Sequence, residues 1–107
     1  MKNVKRSEID GRKVVLFWDE CAFVAQTIDD DCCTQGNTEL EAMESLNRIL
    51  IAWKFLENLE KCYPNSNKLS DMKAPKKFKK MYEEAVEEFN FEPSVKFEEL
   101  KFVQPQK

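Results

Sequence analysis

The chain of 107 residues contains no histidine. Histidine is the commonest general base near neutral pH and the usual partner of a serine or cysteine nucleophile. Its absence therefore argues against a hydrolase built on a Ser-His or Cys-His pair. We expect a protein that is not an enzyme and that uses no cofactor.

Long apolar runs are also missing from the sequence. No segment approaches the roughly 20 apolar residues that a membrane-spanning helix needs. Residues 1–13, "MKNVKRSEIDGRK", lack the apolar centre of a signal peptide. We therefore expect a cytoplasmic protein without a membrane partner, whose four cysteines are free thiols because disulfides are rare in that compartment.

The cysteines do not have the spacing of a metal site. Cys32 and Cys33 are adjacent, so in a strand their side chains would point to opposite faces of the sheet. The chain has no Cys-x-x-Cys pair, which is the spacing typical of zinc sites. A zinc or redox site is the alternative, but we favour half-buried apolar packing and expect no metal.

The composition is that of a single globular domain. Hydrophobic residues make up 42% of the chain and charged residues 35%, which is enough for one core but not for two. The net charge of -3 creates no field that would attract DNA or an anionic membrane, and a basic partner is electrostatically favoured. We predict one domain over residues 1–107, with a core in 12–59, a polar loop in 62–73 and a C-terminal helix and strand in 74–103.

Three strands are predicted in the first third of the chain. Residues 12–18, "RKVVLFW", are rich in β-branched and aromatic residues and follow a turn signal at Asp10-Gly11. Residues 22–28 and 32–35 predict the second and third strands, and short connections make the three antiparallel neighbours. Both faces of the first strand are apolar and need cover, so we also expect a homodimer or a tightly bound partner.

A long helix is predicted directly after the third strand. Gly36 lets the strand end sharply through its backbone freedom, and Thr38 with Glu41 forms the capping box of a helix. The helix should run to about Leu59, with Leu50 and Phe55 outside its main stripe. Apolar residues at spacings of three and four predict the buried stripe: Ala42, Leu46, Ile49, Trp53 and Leu56.

The second half of the chain predicts one more helix and one more strand. Pro75 suits the first residue of a helix that ends near Asn90, and residues 95–103 alternate like a strand with a bend at Glu98-Glu99. The basic run 73–80 could contact nucleic acid, but a solvated helix face is the favoured interpretation. The stripe of the second helix is Phe78, Met81, Tyr82, Ala85 and Phe89.

The predicted fold class is α+β, with a three- to four-stranded, mainly antiparallel sheet and two helices in the order β-β-β-α-α-β. Residues 24–50, "VAQTIDDDCCTQGNTELEAMESLNRIL", resemble the HicB-like antitoxin domain. Members of that family carry a strand that ends in Gly, then a Thr, then Glu-Ala at the opening of a long helix, and here these positions are Gly36, Thr38, Glu41 and Ala42. The resemblance covers about Arg12 to Leu59 and implies a partial ribonuclease-H-like fold.

The resemblance also implies binding rather than catalysis. A HicB-like antitoxin neutralises a small, basic, RNA-cleaving toxin by direct contact. In such a complex the acidic turn would compete with RNA phosphate, and aromatic residues would supply buried contact area. The partner-binding residues that we predict are Phe17, Trp18, Phe23, Asp29, Asp30 and Asp31.

Other interpretations of these residues stay open. The aspartates could form a solvated turn, and the second helix could cover the aromatic side chains. Many family members append a DNA-binding segment, but none is found here, so DNA binding is not supported. Ribonuclease-H-like folds hold magnesium with carboxylates, but consecutive aspartates splay apart, and nothing fixes Glu20 or Glu41 beside them.

The alternative function is a stand-alone protein of a phage or mobile element. Such a protein would use the same fold to inhibit a host defence enzyme or to bind a small ligand. A small basic reading frame beside the gene favours the antitoxin, and its absence favours the stand-alone inhibitor.

Overall fold

A computed structural model describes residues 2–62 and 73–93 of the chain. These residues form an α+β fold with five strands and two helices. Neither helix is long and apolar enough to cross a membrane. The elements follow in the order β1 (Lys2–Ile9), β2 (Arg12–Asp19), β3 (Ala22–Thr27), β4 (Cys33–Gly36), α1 (Glu39–Cys62), α2 (Lys76–Glu84) and β5 (Glu87–Glu88).

The five strands form one mixed sheet in the order β4-β3-β2-β1-β5. Neighbours from β1 to β4 are antiparallel, and β5 runs parallel to β1. The three predicted strands and their antiparallel pairing are confirmed as β2, β3 and β4, with no end shifted by more than one residue. The predicted strand count was wrong, because β1 and β5 were not foreseen. The strand predicted at 95–103 lies outside the described residues, as does most of the predicted loop.

A tight hairpin joins β1 to β2. Its turn residues, Asp10 and Gly11, have φ angles of 50° and 82°, the combination that a two-residue turn needs to match the twist of its strands. Strand β1 was missed because most of its side chains are polar. Val4 packs on one face of the sheet and Ile9 on the other, and these two contacts anchor β1 to both clusters of the core.

Helix α1 covers one face of the sheet. Its buried residues pack against Ile9, Val14, Leu16, Ala25 and Cys32. The predicted stripe was partly wrong, because Ile49 and Leu56 are 38% and 46% exposed. Ala42, Leu46 and Trp53 belong to both the predicted stripe and the buried face. The spacing of apolar residues alone could not show on which side of these three residues the buried face continues. The buried apolar series is Ala42, Met43, Leu46, Leu50 and Trp53.

Helix α2 covers the opposite face of the sheet. Its Phe78, Met81 and Tyr82 pack against a second cluster centred on Val15 and Phe17. The rings of Phe17 and Phe78 stack with centroids 6.1 Å apart. Both apolar faces of β2 are therefore covered within the chain, and the two-faced pattern does not by itself require a second copy.

Helix α2 ends at Glu84, six residues before the predicted end, and Pro75 is its N-cap instead of its first residue. Ala85 is extended, which turns the chain into β5. The Phe89 N–H donates to the Arg6 carbonyl at 2.9 Å, and the Ser7 hydroxyl donates to the Phe89 carbonyl at 2.7 Å. Backbone groups at the edge of β1 thus capture a segment that periodicity assigned to the helix, and Phe89 packs on the α1 side of the sheet.

Candidate partner-binding surface

The predicted binding residues lie in separate places on the sheet. Phe23 is near the start of β3 and Asp29 follows its end, so roughly 20 Å of extended chain separates the two at about 3.3 Å per residue. Phe17 is 3% exposed beneath α2, on the face opposite to Phe23. The structure brings Trp18 and Phe23 together but joins neither of them to Phe17 or to the acidic turn.

Trp18 and Phe23 form a half-buried aromatic pair at one end of the sheet. Their ring centroids are 4.9 Å apart at an interplanar angle of 69°, an edge-to-face arrangement. Phe23 lies opposite Gly36 on β4 and packs against the cluster beneath α1. Both rings are partly accessible.

Gly36 is needed for space, not for the backbone freedom that the sequence suggested. Its φ lies outside the left-handed region, which Gly11 alone of the two glycines occupies. A Cβ at Gly36 would stand 2.5 Å from the Ala42 nitrogen and 2.8 Å from the Glu41 carbonyl carbon. The close approach places the first turn of α1 directly over β4, where the Thr34 hydroxyl donates to the Ala42 carbonyl at 2.8 Å.

The Thr38 half of the predicted capping box is present at the same junction. The Glu41 N–H donates to the Thr38 hydroxyl at 3.0 Å, and the Ala42 N–H donates to the Thr38 carbonyl at 3.1 Å. Thr38 thus satisfies one of the free N–H groups at the start of α1. The helix begins at Glu39, immediately after the cap.

The three aspartates of the β3–β4 turn have different environments. Asp30 forms an ion pair with Arg12, and the two side chains are only 13% and 28% exposed. Asp29 and Asp31 are exposed, although Asp31 accepts a hydrogen bond of 3.2 Å from the amide nitrogen of Gln26. Asp30 therefore stabilises the fold, and Asp29 and Asp31 present their charges to solvent.

Thr27 fixes the shape of this turn. Its hydroxyl donates to the Asp30 carbonyl and accepts the Cys32 N–H at 3.1 Å. The Ala74 N–H donates to the Asp29 carbonyl at 3.4 Å, which connects the turn to the segment before α2. These bonds hold the turn in one arrangement, and its exposed carboxylates are held with it.

Cys32 belongs to the core beneath α1. Burial raises the pKa of its thiol from 9.0 to about 11, and the neighbouring Cys33 adds to this rise. Cys21, Cys32 and Cys33 are free thiols. Within residues 2–62 and 73–93, no group of three or more cysteine and carboxylate side chains is placed to hold a metal ion.

The outer edge of β4 is unpaired in the described part of the chain, because β4 is the terminal strand of the sheet. The Thr27 N–H donates to the Cys32 carbonyl at 2.9 Å, in register with the β3–β4 pairs. Hydrogen-bonded and non-hydrogen-bonded pairs alternate in an antiparallel ladder. Thr34 and Gly36 therefore face β3, while the backbone N–H and C=O groups of Cys33 and Gln35 point outward.

Exposed carboxylates flank this edge at both ends. Asp29 and Asp31 precede β4, and Asp19, Glu20 and Glu41 lie near its far end. The strand itself, Cys33–Gly36, carries no charge. We call this combination of a neutral edge and its flanking carboxylates the β4 edge. The pairing pattern of β4 identifies it, and no motif in the sequence marks it.

The carboxylates considered for a nuclease site are not brought together. Glu20 lies in the turn before β3, Glu41 lies beside Gly36, and the three aspartates lie at the other end of β3. A two-metal site holds its ions about 3.5–4 Å apart, so its carboxylate ligands must converge on one small space. The antiparallel strands place these groups too far apart for that arrangement.

A cleft of about 600 Å³ lies on the β1 side of the molecule. The ion pair between Arg6 and Glu88, with an N–O distance of 3.3 Å, forms part of its wall. Sequence reasoning missed the cleft because its walls come from β1, α2 and the segment around β5. Four carboxylates line it: Glu8, Asp10, Glu88 and Glu92.

No family model matches the chain, and no curated protein or solved structure is similar enough to count as a match.

Proposed function

We propose that this protein is a HicB-like antitoxin that binds and neutralises a small, basic, RNA-cleaving toxin without catalysis of its own. The observation that carries the proposal is the β4 edge, a strand edge that no described residue pairs with and that has exposed carboxylates at both ends. The junction of Gly36, Thr38 and Glu41, where a strand passes into a capped helix, supports the HicB-like resemblance. The five-stranded mixed sheet and two helices make an α+β fold, and its assignment to the HicB-like form is part of this proposal.

The charge of the surface suits such a target. A protein that cleaves RNA gains affinity from lysine and arginine side chains that contact phosphate. The same side chains are attracted to Asp29 and Asp31, which are exposed and held in place by the Thr27 bonds. An acidic inhibitor therefore competes with RNA for the toxin and associates with it rapidly. The antitoxin would act in the cytoplasm, where the target RNA is translated.

Co-expression tests the proposal. Any small basic protein that proves to be encoded beside this gene is produced in a bacterial host, alone and together with the chain. We expect growth arrest with the neighbour alone, normal growth with both, and a complex that survives purification. A charge-reversal variant, Asp29→Lys with Asp31→Lys, should lose protection, and Glu83→Lys with Glu84→Lys at the far end of α2 should keep it. Persistent arrest with the wild-type chain, or the lack of such a neighbouring gene, contradicts the antitoxin function.

The cleft supports a second candidate, a stand-alone protein of a mobile element that binds a small ligand. Its volume of about 600 Å³ lies within the range of small-molecule sites. Glu88 pairs with Arg6, and Asp10 pairs with Lys54. The other two carboxylates of the cleft, Glu8 and Glu92, favour a cationic ligand. Titration with spermidine, followed by amide NMR, should shift Gly11 and Asn90 if this candidate is correct. Unchanged resonances at both positions would reject it.

A further inference from the structure

We propose that the β4 edge binds an extended, basic segment of the partner as a sixth strand of the sheet. This inference rests on the proposed function, because it specifies how the toxin is bound. Strand addition uses backbone hydrogen bonds for affinity and flanking side chains for specificity.

The backbone of β4 supplies the hydrogen-bonding groups. The outward N–H and C=O groups of Cys33 and Gln35 amount to two donors and two acceptors in one row, and no strand in the described part of the chain pairs with them. The side chains of both residues are exposed, so they do not obstruct an incoming chain.

The edge lacks the usual protection against strand pairing. Natural proteins shield edge strands with charged residues, proline or bulges. Cys33–Gly36 contains no charged residue and no proline, and its pairing with β3 is regular. The opposite edge is different, because β5 has only two residues and both are glutamates. Within residues 2–62 and 73–93, the contrast identifies β4 as the edge that is open to a partner.

The charges around the edge determine the chemistry of the partner. A strand of four residues spans about 13 Å, so a partner segment slightly longer than β4 would reach the carboxylates at both ends. Lysine or arginine at the ends of that segment would meet Asp31 on one side and Glu41 on the other.

The same charges disfavour a second copy of this chain. Antiparallel pairing of two β4 edges would place Asp31 of one copy near Glu41 of the other, and the converse contact would repeat the repulsion. Like charges juxtaposed across an interface reduce affinity. A basic strand from a different protein satisfies the hydrogen bonds without this repulsion.

A peptide titration tests the proposal on the full chain. The probe is a short peptide that alternates lysine and valine, and the matched control replaces each lysine with glutamate. We expect the lysine peptide to bind and to slow hydrogen exchange at the Cys33 and Gln35 amides, measured by NMR. The glutamate peptide should leave both amides unchanged.

Two variants separate backbone pairing from simple charge attraction. Gln35→Pro removes the outward N–H without touching the bonds to β3, and proline is tolerated at such an edge position. It should lower the affinity for the lysine peptide about fivefold or more. Gln35→Ala keeps the N–H and should not lower that affinity. Gln35→Lys adds a repelling charge without changing the backbone. It should also weaken binding of the lysine peptide, and it replaces the proline variant in the test if that variant unfolds at a low temperature.

Several results would overturn the proposal. The first is that the lysine peptide does not bind. The second is that it slows hydrogen exchange only at amides other than Cys33 and Gln35. The third is that the proline and alanine variants bind it with equal affinity. Protection of Cys33 and Gln35 before any peptide is added would show that another part of the chain already occupies the edge. Peptide binding together with failed toxin neutralisation would reject the proposed function alone. Neutralisation without any effect of Gln35→Pro would reject strand addition alone.

Discussion

The two glycines of this chain, Gly11 and Gly36, serve different physical needs. Gly11 adopts a φ of 82° in the β1–β2 turn and has open space where a side chain would lie. Gly36 has no unusual φ, but backbone atoms of α1 occupy the space that a Cβ would take. One position therefore restricts backbone conformation, and the other restricts side-chain volume.

Substitution distinguishes these two needs. Gly36→Ala should lower the free energy of unfolding by about 1–3 kcal/mol through overpacking, and Gly36→Asn should be no better. Gly11→Ala should lower it by about 1–2 kcal/mol, but Gly11→Asn should recover most of that loss, because asparagine tolerates positive φ. Urea unfolding measures all four variants. Recovery by asparagine at Gly36 would show that α1 does not approach β4 so closely.

The aspartates of the acidic turn should differ in the same kind of experiment. Asp30→Asn removes the partly buried ion pair with Arg12 and should lower the free energy of unfolding by about 1–2 kcal/mol. Asp29→Asn and Asp31→Asn act at exposed positions and should change it by less than about 0.5 kcal/mol. Equal effects at all three positions in chemical denaturation would contradict the assignment of Asp30 to the fold.

The raised pKa of Cys32 makes stability depend on alkaline pH. Below pH 9 the thiol keeps its proton in both states, so its burial contributes fully to stability. Between pH 9 and about 11 the unfolded chain loses the proton more readily than the folded one, and the free energy of unfolding falls as pH rises. Cys32→Ala should show a smaller fall over this range, since the other alkaline groups are common to both proteins. Parallel pH profiles would refute the assignment.

At the scale of elements, the predictable parts are those with strong local signals. β2 has β-branched and aromatic residues, and Thr38 marks the start of α1, so both were found from sequence. β1 and β5 depend on tertiary pairing, which polar segments do not reveal. The Phe89 N–H bonds to Arg6, more than 80 positions earlier in the chain, and no local pattern contains that contact.

Some parts of the candidate surface could likewise be predicted from local sequence signals, and others could not. The acidic residues of the β3–β4 turn were found because they are consecutive, and Trp18 and Phe23 because they are large. The free edge between them was not predicted, since it depends on which strand ends the sheet. Phe17 was selected with the other aromatics, but the pleat of β2 directs it to the opposite face, where α2 buries it.

Helix α2 should contribute to stability mainly through its contact with Phe17. Phe78→Ala removes the stacked ring and should lower the free energy of unfolding by about 2–3 kcal/mol, somewhat less than a fully buried phenylalanine would. Lys79→Ala, on the exposed face of the same helix, should change it by less than about 0.5 kcal/mol. Denaturant titration compares the two variants. Equal stability losses would mean that α2 does not cover this face in solution.

At the scale of the whole molecule, charge is unevenly distributed. Exposed carboxylates, Asp29 and Asp31, lie beside β4, and a group of exposed lysines lies on α2: Lys76, Lys77, Lys79 and Lys80. The two groups approach each other where the Ala74 N–H bonds to the Asp29 carbonyl, just before α2. A basic toxin would be attracted by the carboxylates and repelled by the lysines, which limits the orientations in which it can approach.

Inhibition of RNA cleavage tests the central claim most directly. The purified neighbouring protein is incubated with RNA and increasing amounts of this chain, its Gln35→Pro variant or its Gln35→Ala variant. We predict that cleavage stops when wild-type chain or Gln35→Ala reaches one copy per toxin and continues at that ratio with Gln35→Pro. Undiminished cleavage in the presence of excess wild-type chain would contradict the account.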